Sequence, residues 1–311
     1  MRFPVPALCI LALYGILYAA GADTAHWPNQ RFLENEYLRV VVVPETGRIT
    51  HLSRNAGENL LRQDKSLIGN TEIPPGRWDW NNHGGDWLWP VAQDRWEMLG
   101  VDRRWPPPAL FEYAPWSAVQ DTDGEILLWL DVGEPLNILV SRRIFFDPEN
   151  PKHLIIEQSI LRTAPSDIPV CLWQIAQMGQ ASDVEMKVPE TTRHPGGVHH
   201  IQGPAPEQDA VILQPKTLRV QVAGAKGAKL GTDGTRISGR NPAGSLHIEV
   251  FNGDEPGELP DGGCSLALAI DRGGEYAELE TMSVERNLAA GERLNNRLVY
   301  RLTCRLSDQE E

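Results

Sequence analysis

Apolar and polar positions alternate with a period of two along most of this chain, the spacing of half-buried β-strands. Tyr37–Val43 (YLRVVVV) and Arg48–Leu52 predict a hairpin turned by Pro44-Glu45-Thr46-Gly47. Glu125–Val132, Ile138–Phe146, His153–Leu161 and Val170–Met178 follow. Leu218–Val222, Leu246–Phe251, Ser265–Ile270, Tyr276–Met282 and Arg297–Leu306 continue the series. Each run is rich in Val, Ile, Leu and aromatics and is bounded by Gly, Pro, Asn or Asp, the residues that make turns. Beyond the N-terminal segment, no stretch of about 12 residues carries an apolar stripe of helical period. The pattern predicts an all-β protein. A dozen or so short strands imply stacked antiparallel sheets rather than a small closed barrel. No internal repeat of about 20–50 residues marks a propeller or a solenoid. Gly196–Asp209 is rich in Gly and Pro and reads equally as a linker or as a long loop over a sheet. Composition does not change across it, which favours one domain over residues 23–311.

The N-terminus follows a different pattern. Arg2 precedes the apolar run Ala7–Ala20, and Ala20-Gly21-Ala22 then offers a small-residue cleavage site. Residues 1–22 therefore predict a secretory signal peptide, too short to be a comfortable membrane span. No Cys follows the run, so a lipid anchor has no attachment point. The expectation is a mature chain starting near Asp23, exported to the periplasm or beyond. Cys9 would leave with the leader, and Cys171, Cys264 and Cys304 would remain. An odd count leaves at least one thiol unpaired within the chain. Cys264 and Cys304 either bridge two strands or, like Cys171, fill core space.

Composition narrows the function. The chain has 311 residues, 41% hydrophobic and 23% charged, which excludes a disordered tail, a collagen-like chain or a small disulfide scaffold. A net charge of −13 gives no basic footprint for nucleic acid or anionic lipid. Most of the 10 Trp fall between Trp78 and Trp116, among Pro106-Pro107-Pro108 and Asn81-Asn82-His83-Gly84-Gly85-Asp86. That stretch reads as long loops carrying aromatic side chains. Trp faces suit the C–H faces of sugar rings, with Asn, His and Asp answering hydroxyls, although about half of these Trp are expected in the core.

Two further clusters bear on chemistry. Glu278 and Glu280 stand two apart in YAELETM, so both project from one sheet face, either solvated or lining a cleft. His194, His199 and His200 lie near Glu190 in a spacing that matches no regular metal geometry, and a surface loop is the expectation there. No P-loop, Rossmann fingerprint or Gly-x-Ser-x-Gly elbow occurs in a suitable context, and no cofactor is implied.

Three segments together resemble the galactose mutarotase-like family of aldose 1-epimerases and their secreted relatives. The first is Asn35–Leu61, with its Val-x-Pro-x-x-Gly-Arg-Ile turn and a following Asn-Leu. The second is His83-Gly84-Gly85 with Trp96 beyond it. The third is Leu279-Glu280-Thr281, then Gly291-Glu292, then Val299-Tyr300-Arg301-Leu302. The resemblance implies a β-supersandwich with an open carbohydrate cleft on one sheet face. It implies Glu280 as the general base for the anomeric hydroxyl, with Glu278 beside it, and His83 as a sugar ligand. Arg77 occupies a plausible position for a further sugar contact. The family's general acid is a His after the central strand, whereas Val170–Gly179 (VCLWQIAQMG) has none and offers Trp173, Gln174 and Gln177. Gln cannot donate and recover a proton at neutral pH.

These readings converge on a carbohydrate-binding cleft. Glu280 is the expected base and His83 the expected acid or anomeric-oxygen ligand. Arg77, Trp78, Trp80, Asp86, Trp87, Trp89, Trp173, Gln174, Gln177 and Glu278 are the expected substrate contacts. The alternatives are a non-catalytic carbohydrate-recognition module and, further off, a polysaccharide lyase or hydrolase.

Overall fold

The computed structural model describes residues 26–101, 105–121, 124–190, 192–253 and 256–304. The leader expected over residues 1–22 lies outside them, as does the end of the run expected to reach Leu306. The first strands are β1 (Arg31–Glu34), β2 (Leu38–Val43), β3 (Arg48–Arg54), β4 (Asp86–Trp89), β5 (Ser117–Gln120) and β6 (Ile126–Val132). Then come β7 (Ile138–Phe146), β8 (His153–Arg162), β9 (Trp173–Gly179), β10 (Asp183–Lys187), β11 (His199–Gln202), β12 (Val211–Gln214) and β13 (Thr217–Gln221). The last are β14 (Lys229–Thr232), β15 (Arg236–Asn241), β16 (Gly244–Asn252), β17 (Leu266–Ile270), β18 (Tyr276–Met282) and β19 (Arg293–Thr303).

These strands form two antiparallel sheets. One has 9 strands in the order β1-β2-β3-β4-β9-β18-β17-β14-β11, the other 10 in the order β12-β13-β10-β15-β16-β19-β8-β7-β6-β5. The sheets face each other across an apolar core that includes Ile49, Leu128, Met178, Leu246, Leu279 and Leu298. They meet closely where Gly239 of β15 lies against Met178 and Leu279, with no room for a side chain. The architecture is a β-sandwich of two large antiparallel sheets.

Burial follows exposure of the two faces. Strands β6 and β19 alternate buried and open positions, as sheets with one wet face do. Strands β4, β9 and β18 are buried almost throughout. Something must cover their second face. That cover includes residues 93–101 and 105–116, whose buried Trp96 meets Trp89 edge to face at 5.1 Å.

Strands expected from the pattern are found within four residues of their expected ends, and Ile138–Phe146 and Tyr276–Met282 are found as read. The Trp-rich stretch is not loop throughout, because Asp86–Trp89 forms β4 in the middle of the nine-stranded sheet. Gly196–Asp209 contains edge strand β11, so His199 and His200 are strand residues rather than parts of a loop. The unforeseen strands are short, and several, such as Asp183–Lys187 and Arg236–Asn241, have too many polar outward positions to stand out. Cys171, Cys264 and Cys304 are all unpaired thiols; the first two are buried and Cys304 is exposed. Among the described residues, no helix is long and apolar enough to cross a membrane.

Candidate active site

The register of the nine-stranded sheet sorts the candidate residues by face. Side chains opposite one another in a ladder share a face. Glu280 pairs with Ile175 and Glu278 with Gln177; Ile175 pairs in turn with Trp87, and Trp173 with Trp89. Glu278, Glu280, Trp173, Gln177, Trp87 and Trp89 therefore share the face turned away from the second sheet. Arg48 joins them from β3, its guanidinium 4.0 Å from the Trp87 ring centre. Across β17, Ala267 lies opposite Glu280 and Ala269 opposite Glu278, so small side chains leave the carboxyls uncrowded on that flank.

Glu280 is deeply held. Its Oε2 accepts the indole N–H of Trp173 at 2.9 Å and lies 2.9 Å from Lys229 Nζ. Lys229 also pairs with Asp261 at 2.6 Å, and its ring-face contact with Trp173 is 4.6 Å. Burial pushes the Glu280 carboxyl up, while Lys229 and the Trp173 N–H oppose that rise. Lys229 is itself raised: burial works against its charge, but Glu280 and Asp261 outweigh that cost and keep it an ammonium.

Glu278 is treated differently. It is half-buried and accepts one bond, from Gln177 Nε2 at 2.7 Å, with no ion pair among the described residues. Burial first, and repulsion from Glu280 second, push its carboxyl up to about 7. Gln177 Oε1 and the Trp87 indole N–H are buried on the same face without a protein partner. Buried polar atoms are usually satisfied, so both are available to a ligand's hydroxyls or to water.

A second buried pair closes the neighbouring end. Glu112, on the helical turn Ala109–Tyr113, is ion-paired with Arg48 and accepts the indole N–H groups of Trp89 at 2.7 Å and Trp80 at 3.1 Å. It pins the covering segment to the sheet. Trp80 thus reaches the site through Glu112, and its ring sits edge-on to Trp105 at 4.8 Å.

The remaining candidates make no contact with the two carboxyls among the described residues. Asp86 and Gln174 point into the space between the sheets, because they fall one residue out of phase with Trp87 and Trp173. There Asp86 is ion-paired with Arg142, accepts the Tyr300 hydroxyl at 2.5 Å, and is bonded by the Gln174 amide. Trp78 and Arg77 are exposed on the preceding loop, the guanidinium 5.1 Å from the ring. His83 is buried with its Nε2 2.8 Å from the Asn70 carbonyl, between the rings of Trp27 and Tyr113. No hydrogen bond or ion pair joins it to Glu278 or Glu280, and burial lowers its pKa. Its two glycines have a structural reason: at φ +74° and +83°, a Cβ on Gly84 or Gly85 would run into the carbonyl of Arg62 or Ile49.

Four residues of this constellation escaped the sequence reading: Arg48, Glu112, Lys229 and Asp261. Only Arg48 had a signal, since alternation along β3 puts it out of phase with core residue Ile49. At the sheet edge, the His194 and His199 rings stack at 5.2 Å and His194 Nε2 lies 3.1 Å from the Gly263 carbonyl. Among the described residues, no three His, Cys, Asp or Glu side chains converge as a metal ion would need.

No protein-family model matches the chain, and no curated protein matches it in sequence. Solved structures do match in fold, several of them described as galactose mutarotase-like or aldose epimerase-like proteins. A galactose mutarotase-like protein from Lactobacillus casei superposes with a TM-score of 0.61 at 12% identity, over 88% of this chain and 100% of its own. A Synechocystis protein gives 0.61 at 15% identity, over 91% and 99%. An aldose epimerase homologue from C. elegans gives 0.51 at 12%, over 89% and 99%. At these identities the likeness is one of fold.

Proposed function

We propose that this chain is an exported carbohydrate-binding protein that interconverts the anomers of an aldose on the outer face of its nine-stranded sheet. The observation that carries the reading is the pair Glu278 and Glu280, side by side on β18 and walled by Trp87, Trp89 and Trp173. Aromatic walls suit the C–H faces of a sugar ring, and fixed carboxyls suit its hydroxyls. Anomer exchange needs a base at the anomeric hydroxyl and an acid at the ring oxygen. Glu280, ion-paired with Lys229 at 2.9 Å, supplies the base. His83 makes no hydrogen bond to either carboxyl among the described residues; its Nε2 lies 2.8 Å from the Asn70 carbonyl.

The test is anomer exchange followed by NMR over a panel of aldoses, with sugar affinity measured alongside by Trp fluorescence. Glu280→Gln is expected to lower exchange by about 10²–10⁴-fold while binding persists. Unchanged exchange in that variant rejects Glu280 as base. Sugar affinity with no exchange in the wild type supports the non-catalytic recognition module instead, and new reducing ends from a polysaccharide support cleavage.

A further inference from the structure

We propose that Glu278 is the general acid of this site, protonating the sugar's ring oxygen while Glu280 takes the proton of the anomeric hydroxyl; this rests on the reading just given. The two carboxyls leave the same face of one extended strand two residues apart, a spacing of roughly 7 Å between their Cα atoms. The anomeric and ring oxygens are bonded to the same carbon. Two flexible side chains at that spacing can each meet one of them.

The surroundings divide the roles. Glu280 has a cation and an indole N–H on one oxygen, and both favour its carboxylate form against the burial that raises its pKa. Glu278 has only a neutral amide from β9. The charged groups that bear on it are Glu280 on its own strand, Lys229 from β14, Glu112 from the covering segment and Arg48 from β3. Lys229 is engaged by Glu280 and Asp261, and Arg48 by Glu112. Glu278 is therefore a carboxyl beside another carboxyl, with no cation of its own among the described residues. It is also the more open of the two, flanked by half-buried Ala269 and Tyr276. Two neighbouring carboxyls in different settings, one ion-paired and one bonded only by an amide, can divide the roles of base and acid.

The step balances. The Glu278 proton goes to the ring oxygen, the bond from that oxygen to the anomeric carbon breaks, and the anomeric C–O becomes a carbonyl as Glu280 takes its proton. Rotation about the bond to the next carbon presents the other carbonyl face. The reverse transfers then close the ring and restore both carboxyls. Nothing is oxidised or reduced.

The experiment compares wild type, Glu278→Gln and Glu278→Asp in anomer exchange across a range of pH, with sugar affinity and near-UV circular dichroism as controls for binding and folding. An acid must carry its proton, so wild-type exchange is expected to fall as pH rises through about 7. Glu278→Gln should lower exchange by about 10²–10⁴-fold, keep sugar affinity within severalfold, and lose that alkaline fall. Glu278→Asp should retain part of the rate and the same kind of fall. An undiminished rate in Glu278→Gln, or an alkaline fall that survives in it, overturns the proposal and leaves the sugar reading intact. Absence of exchange in the wild type overturns both the proposal and the exchange reading, and leaves binding alone.

Discussion

At the scale of single residues, phase within a strand decides role. Asp86 and Trp87 are neighbours in sequence, yet one ties the two sheets together and the other faces the candidate site. Asp86 holds Arg142, Tyr300 and Gln174 in the buried space between the sheets, where each charge needs its partner. Asp86→Ala should therefore act on stability, not on sugar recognition. The expected loss is about 3–5 kcal/mol, the cost of leaving Arg142 buried and uncompensated. Denaturant unfolding checks the loss; the proposal for Asp86 fails if the variant is as stable as wild type but binds sugar poorly. Glu278 and Glu280 illustrate what could be read beforehand: a period of two puts them on one face whatever surrounds the strand. Their different settings could not be read, because Lys229 lies about fifty residues away and reaches Glu280 only through the order β18-β17-β14.

At the scale of elements, β4 carries more than its length suggests. It pairs with β9 over its whole length and with β3 at one position, and it delivers Trp87 and Trp89 to the site. Trp89 packs against Trp87, Trp96 and Trp173 and donates to Glu112, so it joins the sheet to the covering segment. Trp89→Ala should cost about 3–5 kcal/mol by the cavity it leaves. It should also loosen residues 93–101 and 105–116, which limited proteolysis would detect as faster nicking there. Equal nicking in the two proteins would mean that Glu112 and Arg48 suffice to hold the cover. A four-residue strand between Gly-Gly and Pro gives too little periodicity to announce itself, which is why this stretch reads as loop.

At the scale of the molecule, the described chain is held by two large sheets and buried polar links, without a covalent cross-link. The alternative of a Cys264–Cys304 bridge gives way to a buried thiol and an exposed one. Burial pushes the Cys264 thiol up to about 12, so it stays protonated and unreactive. The midpoint of thermal unfolding should accordingly be the same with and without a reducing agent. A lower midpoint under reduction would reveal a bridge that contributes to stability.

Local pattern alone determined that this chain is all-β, that its strands stack as antiparallel sheets, and that Glu278 and Glu280 share a face. Those features depend on side-chain period and turn residues, which are properties of neighbours in sequence. The tertiary structure decided which face the carboxyls take and which Trp stand beside them. It also decided that Lys229 fixes one of the two and leaves the other without a cation. Those features depend on strand order and register, where a shift of one residue moves every side chain to the opposite side of the sheet.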